Sequence, residues 1–182
     1  MKTMSGTWKM IGGVAILAAS LVPLACGGLG AAQAQDVDAP GQEPIVGFWK
    51  VNMVSEGNNN IPDGTVLDSA FSQWHSDGTE IMNSSRPPAT QSFCLGVWAI
   101  AGPLQYKLNH FAISWNAPGS SPSDLLGPAN IHETITLSSD HNSFAGTFTI
   151  DQYNAGGTLL VHLAGNIEGK RITVDTLITD VL

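Results

Sequence analysis

The chain has 182 residues, 43% of them hydrophobic, and its 15 acidic and seven basic side chains give a formal net charge of −8 at pH 7. A surface with this excess of negative charge repels phosphate backbones and anionic lipid headgroups, which argues against nucleic acid and membrane surfaces as partners. About 148 residues remain after the predicted signal peptide, a length that suits one domain with a substantial core.

Residues 1–34 have the pattern of a secretory signal peptide. Lys2 and Lys9 form a short basic start, and an apolar run follows over residues 11–25. The segment ends in Ala32-Gln33-Ala34, the small-x-small pattern that a signal peptidase recognises. We therefore predict cleavage after this motif and a secreted or periplasmic protein.

A membrane span and a lipid anchor are the two alternatives to cleavage of this segment. A membrane span is disfavoured because the apolar run is short and contains Gly12, Gly13 and Pro23. A lipoprotein anchored through Cys26 is the second alternative, but Pro23 fits the pattern around a lipidated cysteine poorly. Cleavage leaves no membrane segment in the mature chain.

The mature chain is predicted to begin with a flexible leader, residues 35–43, followed by a single domain at 44–182. Cys94 is then the only cysteine, so no intrachain disulfide can form and packing alone must stabilise the fold. Because Cys94 lies in an apolar run, we expect its thiol to be buried.

Beyond the leader, apolar residues alternate with period two between turn residues, and no stretch has the 3.6-residue period of a helix. The pattern predicts nine strands, and so long a meander removes its edges by closing into a barrel. We therefore predict an all-β fold, an antiparallel up-and-down β-barrel of eight or nine strands. Two longer connections, 56–64 and 116–129, are expected at its rim. The predicted strands are 45–55, 66–76, 79–84, 91–102, 104–115, 130–138, 143–151, 157–167 and 170–179, the last two joined by a turn at Glu168-Gly169.

The alternation also predicts which side chains point into the barrel. In the strand at 130–138, Glu133 shares the apolar face of Ile131 and Ile135, so a carboxylate is expected among interior side chains. The other predicted inward residues are Leu137, Phe144, Gly146, Phe148, Ile150, Ile172, Val174 and Ile178.

Both faces of the predicted hairpin at 91–115 are apolar. One face of its first strand holds Phe93 and Leu95, and the other holds Cys94 and Trp98. A single-layer barrel buries only one face of each strand, so something must cover the other face. We predict that a second copy of the chain covers it, which makes the protein a homo-oligomer.

Gly47-Phe48-Trp49, at the start of the first predicted strand, resembles the Gly-x-Trp motif of the lipocalin-like (calycin) barrels. The single-sheet meander and the domain size are similar to that superfamily as well, and the resemblance implies that Trp49 closes the base of the barrel. The chain departs from it in lacking a C-terminal disulfide and a predicted helix after the last strand. A weaker resemblance, of architecture alone, is to the trimeric allene oxide cyclase and dirigent-type barrels. Both groups contain carriers and enzymes, so the resemblances imply a fold and not an activity.

Glu133 is the strongest candidate for chemistry. A carboxylate in an apolar interior has a raised pKa and could exchange protons near neutral pH. His110 lies mid-strand, where a neutral imidazole needs a partner, and Tyr106 could polarise a substrate oxygen. These three residues are the catalytic candidates. The alternative for Glu133 is a structural carboxylate paired with Lys107 or Arg86.

Further candidates concern ligand binding. His162 also lies mid-strand and could join His110 and Glu133 across strands, and aromatic rings could line a cavity. No His-x-His, His-x-x-His or Cys-x-x-Cys spacing occurs, so no metal is predicted, and no phosphate-cradling or dinucleotide motif predicts a cofactor. The ligand-binding candidates are His162, Trp74, Trp98, Trp115 and Phe148.

The sequence therefore favours an exported barrel that binds a small, mostly apolar molecule. A cofactor-free barrel enzyme, such as an isomerase, cyclase, hydratase or lyase with Glu133 and His110 as acid and base, is the first alternative. A structural oligomeric barrel is the second. The interior distinguishes them, because mixed polar groups inside favour the enzyme and a filled apolar interior favours the structural subunit.

Overall fold

A computed structural model describes residues 42–91, 93–117 and 125–182. They form one closed sheet of eight antiparallel strands, in which each strand pairs with the next and the last pairs with the first. This confirms the predicted all-β, up-and-down barrel. The predicted signal peptide and nearly all of the leader lie outside the described residues. The strands are β1 Gly47–Ser55, β2 Val66–Trp74, β3 Thr79–Asn83, β4 Phe93–Gly102, β5 Gln105–Trp115, β6 Leu125–Leu137, β7 Ser143–Tyr153 and β8 Leu159–Ile172, followed by a 3₁₀ turn at Ile178–Asp180.

The predicted turn at Glu168-Gly169 is wrong, because β8 runs straight through it. Gly169 faces the ring of Phe144 across the sheet, and a Cβ at this position would collide with that ring. The glycine therefore makes room for a neighbouring aromatic side chain in an extended strand. One continuous β8 replaces the two predicted strands 157–167 and 170–179, which reduces the count from nine to eight.

The continuous β8 also reverses the predicted inward face at the C-terminus. Arg171 is buried, whereas Ile172 is only half-buried on the opposite face. Val174 and Ile178 follow the end of the strand and are 67% and 70% exposed. The prediction that Ile172, Val174 and Ile178 point inward is therefore wrong, since it depended on the turn at 168–169.

The predicted inward faces of β6 and β7 are confirmed. Ile131, Glu133 and Ile135 are all buried, and so are Phe144 and Phe148. Leu137, another of the predicted inward residues, is buried as well. Gly146 and Ile150, also predicted to point inward, are partly buried. β6 starts at Leu125 rather than at 130, so residues 125–129, which were predicted to belong to a connection, are part of the strand.

The two ends of the barrel differ in their connections. The long β1–β2 loop, the described parts of the β3–β4 connection, the β7–β8 connection, the last residues of β5 and the first residues of β6 lie at one end, which we call the open end. The tight connections and the segment that enters β1 lie at the other, which we call the closed end. The aromatic side chains Trp49, Trp74, Trp98, Tyr106 and Phe144 fill the closed end, with ring centroids 5.1 to 6.4 Å apart.

Trp49 anchors the closed end. Its ring is fully buried, its Nε1 donates to the carbonyl oxygen of Ile45 at 2.9 Å, and the Arg171 guanidinium lies 4.1 Å from the ring centroid. Arg171 in turn donates to the backbone carbonyls of Pro44, Val46 and His141. The cation–π contact with Trp49 and the hydrogen bonds to Pro44 and Val46 together hold the segment that precedes β1 against the closed end of the barrel.

The outer face of β4 and β5 carries an uncovered apolar patch. Each of its side chains is more than half exposed, and none is charged. We call this surface the outer hairpin face, and it comprises Phe93, Leu95, Val97, Phe111 and Ile113.

Among the described residues, no helix is long and apolar enough to cross a membrane.

Candidate functional site

A cavity of about 190 Å³ lies inside the barrel near the open end. Trp115 and Arg86 line it at the rim, where both side chains are exposed. His110, with no exposed surface, belongs to the same wall. The apolar part of the wall is formed mainly by Met53, Met82, Cys94, Ala129, Ile131 and Leu163.

A row of polar side chains crosses the barrel interior at His110. Ser72 Oγ donates to Glu80 Oε1 at 2.5 Å, and Glu80 Oε2 lies 3.2 Å from His110 Nδ1. A carboxylate only accepts, so Nδ1 carries the proton of that bond. On the other side of the ring, His110 Nε2 lies 3.5 Å from Glu133 Oε1, longer than an ordinary hydrogen bond. The imidazole is therefore held between two buried carboxylates.

Gly96 allows this contact across a strand. It lies on β4 directly opposite both Glu80 on β3 and His110 on β5. A Cβ at position 96 would collide with the Cβ of His110. Because Gly96 has no side chain, the Glu80 carboxylate can meet the imidazole over it.

The two carboxylates and the imidazole change one another's proton affinity. Burial raises the pKa of Glu133 to about 7, and the charge of Glu80 adds to the rise while His110 opposes it. Burial alone would lower the pKa of His110, but the hydrogen bond to Glu80 and the charges of Glu133 and Glu80 outweigh it, so that pKa is raised. The cluster therefore exchanges a proton near neutral pH.

A third buried carboxylate, Asp68, lines the cavity closer to the open end. It accepts hydrogen bonds from Ser84 Oγ at 2.5 Å and from the backbone nitrogen and Oγ of Ser85, both at 2.8 Å. These bonds fix the start of the β3–β4 connection to β2. Asp68 is thus held in place by the loop that borders the cavity.

Amide and hydroxyl groups border the cavity on the opposite wall. Ser114 Oγ donates to Gln152 Oε1 at 2.7 Å and lies 3.3 Å from Gln91 Oε1. Gln91 Nε2 contacts the sulfur of Cys94 at 3.7 Å. Cys94 is 3% exposed, which confirms the buried thiol expected from the sequence.

The structure brings two of the three catalytic candidates together. Glu133 and His110 face each other, but Glu133 lies beneath the cavity wall while His110 forms part of it. The Tyr106 hydroxyl is at the closed end, where it donates to Glu43 Oε2 at 3.1 Å. Burial and that hydrogen bond raise the pKa of Tyr106 to about 12, so its phenol stays protonated.

The ligand-binding candidates are distributed over four places. Trp115 lines the open-end cavity. Trp74 and Trp98 belong to the closed-end aromatic cluster, where Trp98 Nε1 donates to the carbonyl oxygen of His75. Phe148 is buried against Gly165. His162 lies on the outer face, 55% exposed, with Nδ1 2.5 Å from Asp151 Oδ1, so it is not near the His110–Glu133 pair.

Sequence reasoning missed the buried carboxylates Glu80 and Asp68. In β3 one face holds Ile81 and the other holds Met82, so the alternation of apolar and polar residues does not show which face points into the barrel. The tight Asp77-Gly78 turn carries the missing signal, because it sets Glu80 opposite Trp74 in the hairpin. Directly opposite residues share a face, so an inward Trp74 implies an inward Glu80.

Within the described residues, no three potential metal-ligating side chains converge on one point. The sequence matches no protein-family model and, in a search of curated proteins, no significant relative.

Proposed function

We propose that the protein binds a small, mostly apolar molecule in the open-end cavity. One observation carries the proposal: a cavity walled mainly by apolar side chains contains a buried imidazole whose Nε2 has no hydrogen-bond partner among the described residues. Buried polar atoms are rarely left without a partner, so a ligand group is the natural one. The apolar wall supplies affinity and His110 supplies orientation.

The size of the cavity limits the ligand to about one aromatic ring with a short side chain. An engineered apolar cavity of about 150 Å³ in another protein is large enough to bind benzene. The open-end cavity is comparable, at about 190 Å³. Trp115 at the rim adds flat apolar area for the part of the ligand nearest to solvent.

Titration with 2-phenylethanol, followed by isothermal calorimetry, tests the proposal. Ala129→Phe places a ring in the cavity wall and should abolish binding, whereas Ala145→Phe places the same ring on the exposed face of β7 and should not. If Ala129→Phe fails to fold, Ile150→Phe fills the cavity from β7 instead. Equal affinity in the filled and control variants would refute the proposal, as would no binding to the unchanged protein.

A cofactor-free enzyme is the second candidate function. It is favoured by the carboxylate of Glu133, whose pKa burial raises to about 7, and by its position beside an imidazole that reaches the cavity. His110 would exchange the proton with the substrate and Glu133 would hold it. The enzyme proposal predicts that Glu133→Gln keeps the fold and abolishes turnover. Unchanged turnover in a folded Glu133→Gln variant would remove its support.

We also propose that two or more copies of the chain associate through the outer hairpin face. Copies with a net charge of −8 repel each other wherever carboxylates are exposed. The five side chains of the outer hairpin face are uncharged, and the charged side chain exposed on the same side of β5, Lys107, is basic, so copies can meet there without opposing carboxylates. Covering this face would remove five exposed apolar side chains from water.

The lipocalin-like resemblance and export are further proposals. Trp49 of the Gly47-x-Trp49 motif lies at the closed end beneath Arg171, a position that supports the lipocalin-like assignment. Export is supported by the pattern of residues 1–34. Mass spectrometry of the exported protein should find a chain that starts near Gln35. A retained N-terminus, or a lipid on Cys26, would contradict this.

A further inference from the structure

The cavity is surrounded by more negative than positive charge. Asp68 lines it, and Glu80 and Glu133 stand on either side of His110, which also lines it. All four side chains are at most 7% exposed. Even when His110 is protonated, the carboxylates of Asp68 and Glu80 outnumber it, and Glu133, whose pKa burial raises to about 7, adds negative charge above that pH. Water screens buried charges poorly.

An unused hydrogen-bonding atom lies within this negative surrounding. His110 Nδ1 is already engaged by Glu80, while Nε2 has no hydrogen-bond partner among the described residues. With the proton on Nδ1, Nε2 offers a lone pair, and Glu133 Oε1 offers a second acceptor 3.5 Å from it. While His110 is neutral, this part of the site therefore presents acceptors to a donor of the ligand.

We infer that the ligand of the open-end cavity carries a protonated amine on its apolar body, placed towards His110 and the buried carboxylates. This inference rests on the proposed binding function of the same cavity and specifies the chemical class of the ligand. An ammonium group supplies the missing donors and offsets the excess negative charge. The apolar remainder of the ligand would contact Met53, Met82 and Ile131.

The cavity thiol reports the same electrostatic potential. Burial raises the pKa of Cys94 to about 12, and the charges of Glu80, Asp68 and Glu133 contribute to the rise. Burial, the largest cause, disfavours a charge of either sign, whereas the carboxylate contributions disfavour an anionic ligand group and favour a cationic one.

Among the described residues that line the cavity, Arg86 is the one arginine or lysine, and its guanidinium could instead anchor an anion. It stands exposed at the rim, so water screens its charge, whereas the carboxylates lie deeper and are buried. We therefore expect the ammonium group of the ligand to lie inside the cavity and the Arg86 guanidinium to stay in solvent at the rim. The experiment must distinguish this orientation from an anion held at Arg86.

Three probes of nearly equal size and different charge provide the test: phenethylamine, 2-phenylethanol and phenylacetate. Calorimetric titration should give phenethylamine an affinity about tenfold or more above that of 2-phenylethanol, the effect of one hydrogen bond to a charged group. Phenylacetate should bind most weakly. Asp68→Asn should lower the phenethylamine affinity about tenfold and the 2-phenylethanol affinity much less, because Asn loses the charge that attracts an ammonium and keeps one of the two oxygens that accept from Ser84 and Ser85. The control Asp151→Asn removes a carboxylate from the outer face and should change neither affinity.

The outcomes separate the inference from the function on which it rests. Binding of 2-phenylethanol as tight as that of phenethylamine overturns the amine and leaves small-molecule binding intact. If phenylacetate binds most tightly and Arg86→Gln removes that binding, the amine inference is overturned and the ligand is an anion. Failure of all three probes to bind overturns both. Because 2-phenylethanol binding also reports whether Asp68→Asn has folded, a misfolded variant cannot pass for a positive result; Glu133→Gln then replaces it, with the same loss of phenethylamine affinity expected.

Discussion

The two ends of the barrel use the same strands for different purposes. At the closed end, five aromatic rings and Arg171 fill the space between strands, and Trp49, Trp98 and Tyr106 all donate hydrogen bonds, although His75 Nε2 in the β2–β3 turn has no partner among the described residues. At the open end, the same strands enclose about 190 Å³ of unfilled space, which is lined by the buried carboxylate of Asp68 and by an imidazole whose Nε2 has no hydrogen-bond partner among the described residues. The closed end resembles a stabilising hydrophobic core, and the open end resembles a ligand-binding site. Stability and function should therefore separate along the barrel axis.

The largest effect is expected at the closed end. Trp49→Ala should lower the free energy of unfolding by about 3–5 kcal/mol, because it empties a fully buried site and removes the ring under Arg171. Trp115→Ala, at the open rim, should cost about 1 kcal/mol or less, since that ring is 44% exposed. Urea unfolding of the two variants measures both values. Similar losses would mean that the ends are not specialised.

The next largest effect is the dependence of stability on pH. The folded-state pKa of Glu133 is raised to about 7, so its contribution to stability is complete below its unfolded-state pKa of 4.5 and is lost as the pH rises through 7. His110 acts in the same direction, since its pKa is also raised; Glu80 is the other charged group facing both. The free energy of unfolding should fall by roughly 2–3 kcal/mol between pH 5 and pH 8. Glu133→Gln should flatten most of this slope, and an unchanged slope in that variant would assign it to other groups.

The two carboxylates beside His110 should respond oppositely to removal. Glu80 accepts bonds from Ser72 and His110, so Glu80→Leu leaves two buried donors without an acceptor and should cost about 2 kcal/mol. Glu133 faces His110 only at 3.5 Å, so Glu133→Leu removes a poorly compensated buried charge and should stabilise the fold by about 1 kcal/mol at pH 8. Thermal unfolding at that pH gives both signs. A sharply lower melting temperature for Glu133→Leu would make Glu133 a structural residue.

The smallest effect on folding is expected from the outer hairpin face. Leu95→Glu places a charge on a side chain that is already 60% exposed, so the monomer should lose less than about 0.5 kcal/mol. The oligomer should nevertheless dissociate, because two carboxylates would oppose each other at the contact. Light scattering should show the change, and Thr134→Glu on exposed β6 surface is the control. A monomer at micromolar concentration for the unmodified protein would remove the basis for this proposal.

Strand alternation predicted the parts of the barrel where one face is clearly apolar. It placed Glu133 correctly among Ile131 and Ile135, because β6 alternates strictly between apolar and polar side chains. It failed at β8, where the local Glu168-Gly169 pair has turn chemistry but the glycine is needed to admit Phe144. In β8, the packing of Phe144 against Gly169 outweighs the tendency of the Glu168-Gly169 pair to form a turn.

The candidate site was less predictable because it depends on positions along the barrel axis as well as on faces. Trp74, Trp98 and Tyr106 all point inward, yet they belong to the closed end, and alternation carries no information about which end a residue occupies. The contact between Glu80 and His110 spans three strands and depends on the absence of a side chain at Gly96. Such a contact requires the register of two hairpins at once.

The central claim, that the open-end cavity is the ligand site, has a direct reporter. Of the five methionines, three lie within the predicted signal peptide, and the other two, Met53 and Met82, both line the cavity. In the exported protein labelled with methyl-¹³C methionine, titration with phenethylamine or 2-phenylethanol should shift both methyl signals, while an additional signal introduced by Leu95→Met on the outer hairpin face should stay in place. Shifts of the outer signal alone, with the two cavity methyls unmoved at saturation, would contradict the account.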